Sequence, residues 1–383
     1  MTSNPDSMTM TYKKLRVIIS GGGTGGHIFP AISIAGKLRE ANPDTEILFV
    51  GAEGKMEMEK VPAAGYEIVG LPVAGIQRRP GLAGLAANLR VPGKLAASLR
   101  RAGRILDGFK PDIAVGVGGY ASAPLLWQAT RRHIPTLIQE QNGFAGLTNK
   151  ILGRRADCIC VAYDGMERFF PADKIVFSGN PIRPEIHPYT AEERAEGLRF
   201  YGLTEGRRHL FIVGGSLGAG TLNRAMRRWI EAGCPGGEDV EILWQCGRAY
   251  KPGIDAFMQG RVLPQIHHTD FIGRMDLAYA CADVVVSRAG ASSVSEICAA
   301  RKAAVFVPSP NVAEDHQTHN AMALAGRDAA MIVRDAEAED KLLPAALELL
   351  RDPGRIRAFE QHVAPLARLD AAQTIIDEIY RLV

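Results

Sequence analysis

The sequence has 383 residues, 46% hydrophobic and 23% charged, which excludes wholesale disorder and at this length makes two domains the default. Lysine and arginine total 45 against 42 acidic residues, a net charge of +3, too balanced to indicate nucleic acid as a partner. The six cysteines form no CxxC pair and no zinc-like Cys/His spacing, so a reducing cytoplasm fits better than a disulfide framework.

The chain opens on a polar segment, MTSNPDSMTMTYKK, without an apolar signal core. Short apolar runs rich in β-branched residues then alternate with helical patterns. The spacing predicts strands at Leu15–Ser20, Glu46–Val50, Asp112–Val117, Thr136–Gln139 and Cys158–Ala162. The uncharged stretch Ile113–Thr130 contains Gly116, Gly118, Gly119, Ser122, Pro124 and Gln128, and reads as strand, glycine turn and helix start rather than a membrane span. Asn180–Pro188 carries three prolines in nine residues, which disfavours a helix or central strand and suits an interdomain linker. The rhythm then restarts: LFIVGGSLGAG echoes VIISGGGTGGH, and Glu241–Gln245, Asp283–Ser287 and Ala304–Pro308 follow as strands. These βαβ units predict an α/β protein with two doubly wound parallel sheets. The last helix, from about Arg368, should present Leu369, Ala372, Ile376, Ile379 and Val383 on one face.

Gly21-Gly22-Gly23-Thr24-Gly25-Gly26 matches GxGxxG after a strand, where glycines permit a tight turn and helix-start amides bind anionic oxygens. A dinucleotide redox enzyme would also want an acidic residue ending the second strand. That strand ends Phe49-Val50-Gly51, and Glu53 comes too late. Gly118-Gly119-Tyr120 and Gly214-Gly215-Ser216 repeat the pattern. One such loop is compatible with packing alone, whereas three favour a phosphate-containing ligand.

GGGTGGHIFPAISIA, VGVGGYASAP, IQEQNGFAGLTNK, GNPIRP, VGGSLGAGTLN, SRAGASSVSEI and EDHQTHNA stand in the order found in the MurG family. From Arg16 onward the chain resembles these membrane-associated N-acetylglucosaminyltransferases, which convert lipid I to lipid II in peptidoglycan synthesis. The resemblance implies a GT-B fold: two Rossmann-like doubly wound domains facing across a cleft. Residues 1–184 would form the acceptor and membrane-associating domain, 185–366 the donor domain, and 367–383 a helix returning to the first. It implies UDP-N-acetylglucosamine as donor, undecaprenyl-linked lipid I as acceptor and an inverting mechanism. It also implies a peripheral place on the cytoplasmic face of the bacterial inner membrane, with cell-wall synthesis proteins as further partners. Two positions depart from the family pattern: Gln139 replaces a frequent histidine, and His316 a frequent glutamine.

By the same resemblance the donor contacts are Thr24, Gly25, Gly26, Asn142, Arg183, Ser216, Ile272, Ala291, Ser292, Ser293, Val294, Ser295, Glu296 and Gln317. The residue chemistry agrees in part. Ser292 and Glu296 lie four apart on one helical side, where a carboxylate accepts from both ribose hydroxyls; a capping or solvent-facing glutamate is the plainer alternative. Ser216 suits a diphosphate and Arg183 supplies charge at the junction, or is a surface arginine. His27 is the leading base because imidazole titrates near neutrality, with a purely hydrogen-bonding histidine as the other option. Glu140 and Tyr120 are further candidates for the acceptor side, Tyr120 alternatively as a packing aromatic. No Asp-x-Asp occurs, so no cofactor or obligatory metal is expected.

Between Ile68 and Leu106 there are seven basic residues, Arg78, Arg79, Arg90, Lys94, Arg100, Arg101 and Arg104, and no acidic ones. With Ile76 in the adjoining apolar run, and Leu82, Leu85, Leu89, Leu95, Leu99, Ala102 and Leu106 at helical spacing, this reads either as solvated basic faces or as a surface for anionic lipid. Rival functions are a diacylglycerol-type glycosyltransferase, a nucleotide-sugar epimerase and a non-catalytic UDP-sugar-binding subunit.

Overall fold

The computed structural model of the chain describes residues 12–73 and 91–383. Seven strands, β1 (Arg16–Ser20), β2 (Glu46–Ala52), β3 (Glu67–Leu71), β4 (Ile113–Gly116), β5 (Thr136–Glu140), β6 (Cys158–Val161) and β7 (Ile175–Phe177), form a sheet in the order β3-β2-β1-β4-β5-β6-β7. Six more, β8 (Arg208–Val213), β9 (Val240–Gln245), β10 (Ile266–Thr269), β11 (Val284–Ser287), β12 (Ala303–Phe306) and β13 (Met331–Ile332), form a second in the order β10-β9-β8-β11-β12-β13. Pairing is parallel around the centre of each sheet, with Ser20 opposite Gly116 in one and Val213 opposite Ser287 in the other. Both are Rossmann-like α/β sheets, as the restarting rhythm predicts.

The central strands are buried on both faces, and Ile18, Val115, Ile212 and Val286 are all 0% exposed. Parallel strands covered by helices on either side have no solvent face, so their sequences read as unbroken apolar runs. Four strands escape the sequence reading: β3, β7, β10 and β13. They are the four sheet edges, and most of their residues are only half-buried or exposed. An edge strand is short and wet on one side, so it leaves no continuous apolar signature.

By internal contacts the chain divides into two compact units. The described residues up to Gln139, with Leu147–Cys160 and Ala372–Val383, make the first, and Glu140–Gly146 with Val161–Ala371 the second. The last helix, Ala371–Leu382, buries Ala371, Ile375, Ile376 and Ile379. Leu369, expected on that face, is 57% exposed because it precedes the helix and its periodicity. Within the first unit, Tyr12 donates to Asp377 at 2.7 Å and its ring meets Tyr380 edge-on.

In an open doubly wound sheet, ligands gather where strand order reverses, beyond the carboxyl ends of the strands. That point falls between β1 and β4 in the first sheet and between β8 and β11 in the second. All three glycine loops and the 288–296 segment leave from these four strand ends.

Candidate active site

The loop after β1 runs through Gly21–Thr24 into the helix Gly25–Ala41. Beneath it lies Glu57, in the helix that follows β2 and fully buried. Its carboxylate accepts the Gly23 amide at 3.0 Å and the Ala52 amide at 2.9 Å. A Cβ at Gly22 would stand 2.1 Å from Glu57 Oε1, and one at Gly51 would stand 2.5 Å from Glu57 Cγ. These two glycines therefore make room for a carboxylate that sequence reading did not identify. Glu53 pairs with Arg101 on the surface.

His27 sits in the first turn of the helix, half-buried, with Nδ1 3.1 Å from the Gly22 carbonyl. A carbonyl only accepts, so that bond requires a proton on Nδ1, and in the neutral ring the lone pair is then on Nε2; the Thr24 hydroxyl lies 3.4 Å from the same Nδ1. Thr24 is exposed, Gly25 and Gly26 are half-buried, and the Thr24 side chain does not cap the helix.

Gly118 and Gly119 follow β4 with φ of +94° and +87°. A Cβ on Gly118 would meet the His27 ring at 2.9 Å, and one on Gly119 the Gly22 carbonyl oxygen at 2.4 Å. Their glycine character thus serves close packing on the first loop. Ser122 Oγ lies 2.8 Å from Ser20 O and 2.9 Å from Gly118 O, its one proton shared between the two carbonyls. Tyr120 is 59% exposed, which removes the packing-aromatic alternative.

In the second unit the loop after β8, Gly214–Ala219, leads into the helix Gly220–Glu231. Gln245, at the end of β9 and 3% exposed, holds it. Its Oε1 accepts the Gly214 amide at 3.0 Å, and its Nε2 donates to Gly215 O at 3.0 Å and Asp270 O at 3.2 Å. Ser216 is exposed on this loop. Ile272 is 4% exposed, its side chain in the same core cluster as Phe211.

β11 leads through Arg288-Ala289-Gly290 into the helix Ala291–Ala299, whose N-cap Gly290 makes no side-chain cap bond. Ala291 and Val294 are buried, while Ser292, Ser293 and Ser295 are half-buried. Glu296, 6% exposed, is neither a cap nor a solvent-facing residue. Arg183 donates to its Oε1 from Nε at 3.0 Å and Nη2 at 2.7 Å, and the Tyr279 hydroxyl donates to its Oε2 at 3.2 Å. Arg183 is therefore a fixed partner of Glu296 rather than a loose surface arginine. Burial works against the Arg183 charge, but the Glu296 carboxylate overrides it and leaves the guanidinium above its ordinary value. Burial first, then the same carboxylate, pushes the Tyr279 hydroxyl well up, so it remains a donor. A carboxylate offers about four lone-pair directions, so this one retains acceptor capacity for a ligand.

Glu140 is 2% exposed and turned into its own loop, accepting from the Asn142 amide at 3.1 Å and the Gly146 amide at 3.0 Å. It shapes the loop. Asn142 donates to the same carboxylate and accepts from Asn320 at 3.2 Å. Asn320, 0% exposed, also accepts the Gly143 amide and donates to Ala289 O. Asn180 similarly joins Gln141 O to Ser295 Oγ at 2.9 and 3.0 Å. Gln317 accepts the Ser309 amide at 2.8 Å. Sequence reading missed Glu57, Gln245, Tyr279 and Asn320. Of these, only Asn320 lay inside a quoted motif, because a buried polar residue identifies itself through partners distant in sequence.

Ile76, Arg78, Arg79 and Arg90 lie outside the described residues, as do Leu82, Leu85 and Leu89. On the helix Val91–Phe109, Lys94, Arg100 and Arg104 are exposed, while Ala102 and Leu106 are buried. Leu95, expected on the apolar face, is 47% exposed. Among the described residues, no helix is long and apolar enough to cross a membrane.

Residues 17–161 match the glycosyltransferase family 28 N-terminal domain, and residues 209–375 the glycosyltransferase family 28 C-terminal domain. The chain is 51% identical over 371 residues to the UDP-N-acetylglucosamine–N-acetylmuramyl-(pentapeptide) pyrophosphoryl-undecaprenol N-acetylglucosamine transferase of Parabacteroides distasonis, covering 97% of this chain and 99% of that one. It is 50% identical to the Bacteroides thetaiotaomicron protein of the same name, over 97% and 98% of the two chains. The crystal structure of Acinetobacter baumannii MurG superposes with a TM-score of 0.75 at 29% identity, covering 96% of this chain and 99% of that one. With two Rossmann-like sheets, both family 28 domains and half-identical full-length relatives, the chain belongs to the MurG family of GT-B glycosyltransferases.

Proposed function

We propose that the chain transfers N-acetylglucosamine from UDP-N-acetylglucosamine to the 4-hydroxyl of the muramoyl sugar of undecaprenyl-linked lipid I, with inversion, giving lipid II. The observation that carries the donor half is Glu296, held as an acceptor by Arg183 and Tyr279 one turn inside a helix start. Its one remaining acceptor direction takes a ribose hydroxyl. The helix start at Ala291–Ser293 and the Ser216 loop supply donors to the diphosphate, since unsatisfied amides and the helix dipole favour an anion there. The Ile272 backbone meets the uracil, and Asn142 and Gln317 address the transferred sugar. Thr24, Gly25 and Gly26, at the first-unit helix start, are assigned to the donor by family resemblance alone.

In the reaction, the acceptor oxygen bonds to the anomeric carbon as the bond from that carbon to the diphosphate oxygen breaks. His27 Nε2 takes the hydroxyl proton, and UDP leaves from the opposite face. Donors already aimed at the departing diphosphate stabilise charge as it develops, at roughly 2.7–4 kcal/mol for a well-placed one. Tyr120 and the loop shaped by Glu140 are assigned to the acceptor side. Residues 1–184 serve the acceptor, apart from the donor contacts at Thr24, Gly25, Gly26, Asn142 and Arg183, and 185–366 serve the donor.

A lipid-linked acceptor calls for a membrane-docking face, so we place the chain peripherally on the cytoplasmic face of the inner membrane. The basic run from Arg78 to Arg104 would hold it on anionic lipid at about 1 kcal/mol per residue near the surface. Reversing Arg78, Arg79 and Arg90 to glutamate should weaken binding to anionic vesicles; unchanged binding would count against this face.

The central experiment is a radiolabelled transfer assay with a truncated lipid I analogue. UDP release should depend strictly on that acceptor. Consumption of donor without acceptor, or transfer to diacylglycerol instead, would overturn the assignment.

A further inference from the structure

We infer that Glu57 is a positioning residue for His27, acting through the single peptide unit that joins Gly22 to Gly23. The Gly23 N–H of that unit donates to Glu57 Oε2 at 3.0 Å, and its Gly22 carbonyl lies 3.1 Å from His27 Nδ1. No cis peptide occurs in the described residues, so the N–H and C=O point to opposite sides, with carboxylate on one and imidazole on the other. An acceptor on a peptide N–H polarises the amide and strengthens its carbonyl as an acceptor, because hydrogen bonds in series reinforce one another. The negative charge at Glu57 is thereby felt at Nδ1–H. It favours the tautomer with the lone pair on Nε2 and makes that nitrogen a better base. A carboxylate bonded directly to Nδ1–H performs the same task in Ser-His-Asp sites; here a peptide is interposed.

The packing keeps the unit in place. Gly22 and Gly51 leave space for the Glu57 side chain, and Gly118 and Gly119 bring backbone against the His27 ring and the Gly22 carbonyl. A second bond, from the Ala52 amide to Glu57 Oε1, occupies the other oxygen. Glutamine at position 57 would have one acceptor oxygen for two amide donors and no charge.

The inference rests on His27 as the base, and the test separates the two. In ¹⁵N-histidine-labelled protein, with His27 assigned by comparison with His27→Gln, neutral His27 should be the Nδ1–H tautomer. An Nε2–H tautomer overturns the inference without any change at position 57. In folded Glu57→Gln, His27 should titrate at lower pH and lose its single tautomer, whereas Glu57→Asp, which keeps the charge, should stay nearer wild type. Unchanged titration and tautomer in a folded variant overturn it. In kinetics, Glu57→Gln should lower kcat about tenfold, less than the roughly 10²–10⁴-fold contributed by a general base. KM for UDP-N-acetylglucosamine should hold within about twofold if catalysis, not uniform binding, is affected. The acid limb of the kcat profile should move to lower pH. If the imidazole responds and kcat and its pH profile do not, the coupling stands and the reading of His27 as base fails.

Discussion

The loops after β1 and β8 occupy the same place in two sheets of the same central strand order, and both are rich in glycine. They are held from the same side, by a residue at or just beyond the neighbouring second strand. In the first unit that residue is Glu57, a buried carboxylate on the Gly23 amide. In the second it is Gln245, a buried carboxamide that accepts from Gly214 and donates to Gly215. The difference matters for an anion. A carboxylate under a glycine loop occupies one amide and repels a diphosphate, whereas a neutral amide holds the loop without opposing charge. Thus the loop that best matches a dinucleotide fingerprint is the less suited of the two to a diphosphate. What it carries instead is an imidazole whose tautomer the Gly22 carbonyl selects.

Under the proposed function the contrast gives chemistry to one loop and binding to the other, and kinetics can break it. The largest effect should come from His27→Gln: kcat down by about 10²–10⁴-fold, with donor affinity little changed. If single-turnover chemistry survives and only donor affinity falls, the first loop is a binding loop and the contrast is lost. Next is Gln245→Glu, which makes the second clamp like the first. A new charge near a diphosphate costs on the order of 1.4–3 kcal/mol at an effective dielectric near 20, so KM for the donor should rise about 10- to 100-fold while kcat changes less. An unaltered KM in a folded variant would mean the diphosphate does not sit on this loop. The smallest is Tyr279→Phe, which removes one donor from Glu296 and leaves Arg183 in place. Loss of a hydrogen bond to a charged acceptor is worth about 1.5–3 kcal/mol when buried. UDP affinity measured by calorimetry should therefore fall by about tenfold, and no change would detach Glu296 from the ribose.

Much of this molecule was legible before its structure. Nine strands could be read because central parallel strands, dry on both faces, must be apolar throughout. The four edge strands could not, since β10 reads Ile266-His267-His268-Thr269 and β13 has two residues. His27, Ser216 and the helix start at Ala291 were visible because turns, caps and helix starts are local in sequence. Glu57 was not, since its partners are a loop 34 residues away and the end of the preceding strand. Nor was the engagement of Glu296 by Arg183, 113 residues distant.

The sequence by itself determined that two doubly wound sheets would form, where their glycine turns would fall and which family the motifs resemble, because periodicity, turn chemistry and motif order are written along the chain. Only the tertiary structure decided which loop is backed by charge and which by a neutral amide. Charge acts through space, and both clamps reach their loops from a neighbouring strand or the helix after it.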